Sequence, residues 1–125
     1  MRILILDDEE VRHEAFSRRY DGHEVVGATT YSQFIRYFSE GSPWDLVHLD
    51  HDLGEPPTAD SYVDGWGGVR AYTGIHAVRA ICDVDDGQLP REVIVHSQNP
   101  LGSQAMVAEL RARGVIAARQ PFDLK

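Results

Sequence analysis

Asp45-Leu46-Val47-His48-Leu49-Asp50-His51-Asp52-Leu53-Gly54 decides how this chain is read. An apolar run stops abruptly in Asp-His-Asp and then a glycine. A carboxylate at the end of a buried strand is costly to desolvate unless a metal or another cation compensates it. Two other runs stop in the same manner. Ile3-Leu4-Ile5-Leu6 leads into Asp7-Asp8-Glu9-Glu10, and Val93-Ile94-Val95 leads into His96-Ser97-Gln98-Asn99. Three strands ending in polar, metal-competent residues predict one site at one edge of a sheet.

The order of elements around these runs predicts the fold class. Arg2 to Leu6 reads as a fully buried strand, too continuous to be half exposed. Acidic Asp7 or Asp8 suits the start of a following helix on dipole grounds. That helix carries Val11, Ala15, Phe16 and Tyr20 at helical spacing, turns Arg12, His13, Arg18 and Arg19 to other faces, and stops at Asp21-Gly22. His23 to Ala28 is a second strand. Thr30 or Ser32 can cap a helix whose apolar face is Phe34, Ile35 and Phe38, ended by Gly41-Ser42-Pro43. Asp45 to Asp50 is the third strand. Gly54 to about Tyr72, rich in glycine and carrying Asp60, Tyr62, Asp64 and Trp66, reads as a long loop, either a cover for a ligand or a segment pinned to the body by its aromatic residues. Thr73-Gly74 opens a helix through Ile75, Val78, Ile81 and Cys82. Val93 to His96 is the fourth strand, and Asn99-Pro100 starts a helix stopped by Gly114. Val115 to Ala118 is the last strand. Strands alternating with helices predict an α/β three-layer sandwich, a parallel five-stranded sheet with helices on both faces.

Bulk properties narrow the function. The 125 residues, 42% of them hydrophobic, suit one domain over residues 1–125 with one core. Twelve Lys and Arg stand against twenty Asp and Glu, a formal charge of -8. That balance argues against an extended groove tracking a nucleic-acid backbone, so a phosphate ligand has to be captured locally. The single cysteine, Cys82, excludes an internal disulfide, fits a reducing compartment, and sits at helical spacing as a small core residue. The chain runs directly into a strand-like stretch with no basic, then apolar lead, so no signal peptide is expected, and no apolar stretch approaches the roughly 20 residues needed to span a bilayer. A soluble, cytoplasmic protein is the expectation.

In an open parallel sheet, ligands bind beyond the carboxyl ends of the strands, near a reversal of strand order. With the flavodoxin-like order 2-1-3-4-5, the three acid-ended strands are neighbours. Asp7, Asp8, Asp50, Asp52, His51, His96, Ser97 and Asn99 then share one cleft. Clustered carboxylates raise one another's pKa unless a divalent ion sits among them; an oxygen-rich set suits magnesium or manganese, and adding histidine widens the choice toward zinc or iron. Such an ion would neutralise and polarise a phosphate. His51 and His96 stand beside the acids and could serve as general base and general acid, a pairing suited to opening a cyclic phosphodiester. His48 alternates with Asp50 and reads as a hydrogen-bonded core residue. His13, His23 and His76 read as surface or packing residues without chemical neighbours.

These residues resemble the receiver domains of two-component response regulators: the pair Asp7-Asp8, the strand-end Asp50, Ser97 after the fourth strand, and Pro121-Phe122. The resemblance implies a phospho-acceptor position at Asp50. It also implies metal binding by Asp7 and Asp8, helped by the Asp52 carbonyl, and a phosphoryl contact at Ser97. Two features depart from it. Gln120, beside Arg119, stands where receivers carry a lysine, and the stretch from Gly54 to Tyr72 is long. Leu49-Asp50-His51-Asp52-Leu53-Gly54 and Val95-His96-Ser97-Gln98-Asn99-Pro100-Leu101-Gly102 are similar to a receiver-derived family associated with cyclic phosphates. That likeness implies a receiver metal site with His51 and His96 added beside it.

The leading expectation is a metal-dependent phosphoesterase acting on a small cyclic phosphate, a nucleotide or an RNA end. Asp7, Asp8, Asp50 and Asp52 would serve the magnesium or manganese ion, Asp50, His51 and His96 the chemistry, and Ser97 and Asn99 the phosphate. The alternatives are a stand-alone receiver phosphorylated on Asp50 and a non-catalytic module that binds a phosphate ligand.

Overall fold

The computed structural model describes residues 1–54 and 60–122. Its centre is a parallel sheet of β1 (Arg2–Leu6), β2 (Glu24–Ala28), β3 (Leu46–Leu49), β6 (Glu92–Val95) and β7 (Ile116–Arg119), in the spatial order β2-β1-β3-β6-β7. This is the expected 2-1-3-4-5 order, with two short strands inserted in the numbering. Those two, β4 (Ser61–Val63) and β5 (Val69–Ala71), pair antiparallel as a separate hairpin.

Strand periodicity divides the core between the two faces. Ile3 and Ile5 of β1 point to the side of α1 (Glu10–Arg19), where they pack with Phe16, Leu46 and Ile94. Leu4 and Leu6 point to the opposite side. There α2 (Tyr31–Gly41), α3 (Gly74–Cys82) and α4 (Pro100–Ala112) bring Phe34, Phe38, Val78, Ile81, Met106 and Leu110 against Val47, Leu49, Val93 and Val95. The central strands are buried on both faces, which is why they read as apolar runs, broken only by His48 in β3. No helix among the described residues is long and apolar enough to cross a membrane.

Caps set the ends that matter for the site. Thr30, not Ser32, caps α2, its side chain accepting from Gln33 N at 3.2 Å. Asn99 caps α4 by accepting from Gly102 N at 2.9 Å, with Pro100 in the first turn. Helix α1 begins at Glu10, later than the Asp7 or Asp8 start expected, because the Asp7 side chain turns inward instead of capping.

The expected loop from 54 to 72 contains regular structure where it is described, and residues 55–59 lie outside the described residues. Asp64 organises the hairpin turn, its carboxylate accepting from Trp66 N and Gly68 N at 2.9 Å each and pairing with Arg70. Short-range Asx bonding of this kind holds a turn whose central glycine, Gly67, has a positive φ. Tyr72 stacks on Tyr31 at 4.2 Å, Tyr62 packs on Tyr72 at 4.9 Å, and the His76 ring meets all three. Tyr62 and Tyr72 therefore pin the hairpin to α2 and α3, whereas Trp66 is 96% exposed. His76 does not lack chemical neighbours: besides these rings, its Nδ1 accepts from Thr73 N.

Candidate functional site

The carboxyl ends of β1, β3 and β6 deliver Asp7, Asp50 and His96 to one point. All three are buried, and one ligand-type atom from each lies within 4.8 Å of the others. The backbone aims the two carboxylates. Asp7 Oδ1 accepts from Glu9 N at 2.9 Å, and Asp50 Oδ1 accepts from His51 N at 2.8 Å. Each acid thus anchors one oxygen on its own turn and presents the other, Oδ2, to the shared centre. His96 Nε2 donates to Asp7 Oδ2 at 2.8 Å.

The local electrostatics are those of crowded anions with partial compensation. Burial pushes the Asp7 carboxyl up, but the His96 and Glu9 hydrogen bonds and the nearby charges of His96 and Arg12 outweigh it, leaving the group below its ordinary value. Asp50 ends above the ordinary carboxylate value, because burial and the Asp7 charge exceed what His96, Arg12 and the His51 amide return. Asp8 is also raised, by burial and by Asp7.

Above these acids lies a cavity of about 300 Å³, lined by Asp8, Glu9, Arg12, Asp50, Asp52, Gly54 and Gln98. Asp8 and Asp52 stand on its walls, exposed, outside the buried cluster. The two histidines occupy different levels. His96 lies beneath the carboxylates. His51 leans the other way, its Nδ1 paired with Asp52 Oδ1 at 2.9 Å and its ring against α4, where a Cβ on Gly102 would come within 2.5 Å of His51 Cδ2. Asn99 Nδ2 approaches the same His51 nitrogen at 3.4 Å. Ser97 is buried, its hydroxyl accepting from Asn99 N at 3.0 Å, so Ser97 and Asn99 build the turn into α4 and do not line the cavity.

The Cyclic-phosphate processing Receiver domain model matches residues 2–112. The chain belongs to that family. Solved structures place its fold among receivers. A response regulator from Burkholderia pseudomallei, determined with a phosphorylated aspartic acid, calcium ion and citrate, superposes with a TM-score of 0.64 at 16% identity, over 98% of this chain and 61% of that longer one. The signal receiver domain of a Vibrio parahaemolyticus protein gives 0.64 at 14% identity, over 98% of this chain and 80% of that one. The N-terminal domain of a response regulator/sensory box/GGDEF protein from Carboxydothermus hydrogenoformans gives 0.59 at 22% identity, over 95% and 78%. No curated protein matches the chain.

The donor set of this receiver domain fits a hard divalent ion: two carboxylate oxygens converge on one centre, with further acids on the cavity wall. Asp7 and Asp50 would hold such an ion. In the tautomer that donates Nε2–H to Asp7, His96 orients that carboxylate and is not itself a ligand.

One residue of the site was not singled out in the sequence. Arg12, read there only as lying off the apolar face of the helix, reaches back along α1 and places Nη1 3.3 Å from Asp7 Oδ2 and 3.1 Å from Asp50 Oδ2. The available signal was position: a cation in the first turn of the helix that follows an acid-ended strand leans toward that strand end. His13 was also misread, because its Nε2 lies 2.7 Å from the Asp7 carbonyl oxygen and so helps hold the same turn.

Beneath the acids, His48 behaves as the core residue expected, with Nε2 sharing a 2.6 Å hydrogen bond with the Tyr20 hydroxyl between the rings of Phe16 and His96. Its Nδ1 is buried without a partner among the described residues. Burial first, then the charges of His96 and Arg19, push the His48 imidazole down to about 3. The unfolded chain therefore takes up a proton near pH 6.5 that the folded chain refuses until about pH 3. This contribution to stability is intact above 6.5 and is lost as the pH falls from there toward 3. Urea unfolding at pH 7 and 4.5 should show His48→Gln losing about 2 kcal/mol less over that interval than wild type. Equal losses would show that His48 is not held neutral.

Proposed function

We propose that this receiver domain is a metal-dependent phosphoesterase that opens a cyclic phosphate, carried by a nucleotide or an RNA end. The observation that carries the reading is the convergence of Asp7 Oδ2 and Asp50 Oδ2 over His96, at the floor of an acid-walled cavity. The family description supports the substrate class. Magnesium or manganese, when bound by Asp7 and Asp50, would neutralise and polarise the phosphate. His96 keeps Asp7 anionic and fixes its Oδ2 at the centre shared with Asp50. The Asp52–His51 pair at the rim is suited to carry a proton between the cavity and solvent. Water adds to phosphorus, one phosphorus–oxygen bond of the ring breaks, and the departing oxygen takes a proton. A cytoplasmic location agrees with this reading.

Purified protein with manganese or magnesium, incubated with 2′,3′- and 3′,5′-cyclic nucleotides and RNA bearing a 2′,3′-cyclic end, should yield a phosphomonoester. No turnover above a His96→Ala control on any of them would refute the hydrolase. Thermal stabilisation by one of these ligands without product would favour a binding module instead.

Arg12 supports a second reading. It sets a cation at Asp50 Oδ2, although Gln120 stands where receivers carry a lysine. If Asp50 is a phospho-acceptor, a small acyl phosphate with magnesium labels wild type and leaves Asp50→Asn unlabelled.

A further inference from the structure

We propose that Arg12 is a displaceable internal counter-ion: its guanidinium holds the Asp7–Asp50 pair in place of the divalent ion and must withdraw when that ion is taken up. The proposal rests on reading Asp7 and Asp50 as a divalent-ion site.

The geometry is that of a substitute cation, not of a committed ion pair. Both carboxylates have one oxygen fixed by a backbone amide, so only the two Oδ2 atoms face the centre. A single nitrogen, Arg12 Nη1, spans both of them, at 3.3 Å and 3.1 Å. Charge-assisted N–H···O⁻ bonds settle near 2.7–2.9 Å, and arginine preferentially docks a carboxylate through two parallel bonds. Arg12 makes neither arrangement. It stands between the two acids that would hold the ion. A guanidinium and a divalent ion cannot share that space, and their charges repel strongly in a partly buried site.

The side chain also has somewhere to go. It is 22% exposed and opens onto the cavity. Glu9 Oε2 lies 3.6 Å from Arg12 Nε, and the Phe122 ring lies 5.6 Å from its guanidinium carbon. Either can keep the withdrawn group at the wall. Among the described residues lining the cavity Arg12 is the only cationic side chain, the others being four acids, a glycine and a glutamine. Withdrawal thus moves this cation from the acids toward the space a phosphate would fill. Metal uptake and phosphate capture become linked through one residue.

Calorimetric titration of chelator-stripped protein with manganese alone tests this without any substrate. Arg12→Gln should bind manganese about tenfold more tightly than wild type, because a competing charge is gone. Arg12→Lys, which retains the charge, should stay within about threefold of wild type. Nitrogen-15 spectra of wild type supply a readout independent of whether a variant folds: the Arg12 Nε–H resonance should shift on saturation with magnesium. Equal or weaker manganese binding by Arg12→Gln, or an Arg12 resonance that stays in place at saturation, overturns the displacement while leaving the metal site standing. Manganese binding that is absent, or equal in wild type and Asp50→Asn, removes the metal site itself and the proposal with it.

Discussion

Asp50→Asn should abolish specific manganese binding and lower turnover of a cyclic phosphate by about 10³-fold or more, the scale expected when several kcal/mol of metal-derived charge stabilisation are lost. The substitution keeps the shape of the side chain and the oxygen that accepts from His51 N. It replaces Oδ2, the atom facing Asp7 and Arg12, with an amide nitrogen that cannot ligate a cation. The same change should not unfold the protein. Burial and the Asp7 charge hold Asp50 above its ordinary pKa, so the ionised form costs stability near neutral pH, and removing the charge relieves that cost. Metal-free Asp50→Asn is therefore expected to melt no lower than wild type at pH 7. Titration with manganese and a thermal melt on the same sample separate the two effects. Unchanged manganese affinity in a folded Asp50→Asn would show that the ion is held elsewhere.

Gly74→Ala should destabilise the fold by about 3 kcal/mol and lower the melting temperature by roughly 10 °C. Gly74 opens α3, and its amide donates to the His51 carbonyl at 2.8 Å, which ties the helix to the end of β3. A Cβ here would lie 2.2 Å from the Asp50 carbonyl oxygen, 2.6 Å from Met106 Cε and 2.9 Å from His51 Cα. Met106 can swing aside, but the other two atoms are main chain. Relief requires α3 to move away from the strand end that carries Asp50 and His51. Metal affinity should fall together with stability, in contrast to Asp50→Asn, where only the affinity falls. Leu101→Ala, at an exposed position in the first turn of α4, provides a comparison expected to change the melting temperature little. A Gly74→Ala melt indistinguishable from wild type would mean that the strand end yields easily.

The sheet was legible because its signals are local and strong. A strand buried on both faces must be largely apolar, and Ile3 to Leu6 and Val93 to Val95 are wholly so, while Leu46 to Leu49 is interrupted only by His48. Parallel strands need crossovers, and the intervening helices carried their own caps at Thr30 and Asn99. Once the order β2-β1-β3-β6-β7 is adopted, the acid ends of β1, β3 and β6 have to be neighbours. The meeting of Asp7, Asp50 and His96 was thus implicit in where three apolar runs stop. The hairpin was hidden because Ser61–Val63 and Val69–Ala71 are too short to show alternation, and glycine dominates the turn between them.

Side-chain direction could not be read in the same way. His51 and His96 carry the same imidazole at equivalent strand ends, yet one leans outward onto Gly102 and the other lies under two carboxylates. That difference comes from a single-residue offset along a strand end, and the pleat and the packing of α1 and α4 set it. Ser97 and Asn99, polar and adjacent, turned into backbone partners because α4 needed a cap there. Arg12 became part of the site only when α1 packed across β1 and β3 and brought a helix side chain between acids 5 and 38 residues away in the chain. Residue types and strand ends, which depend on neighbours along the chain, determine that there is an acidic site and where it lies. Which cation fills it, and which histidine faces it, depend on contacts between distant segments, and those exist only in the folded molecule.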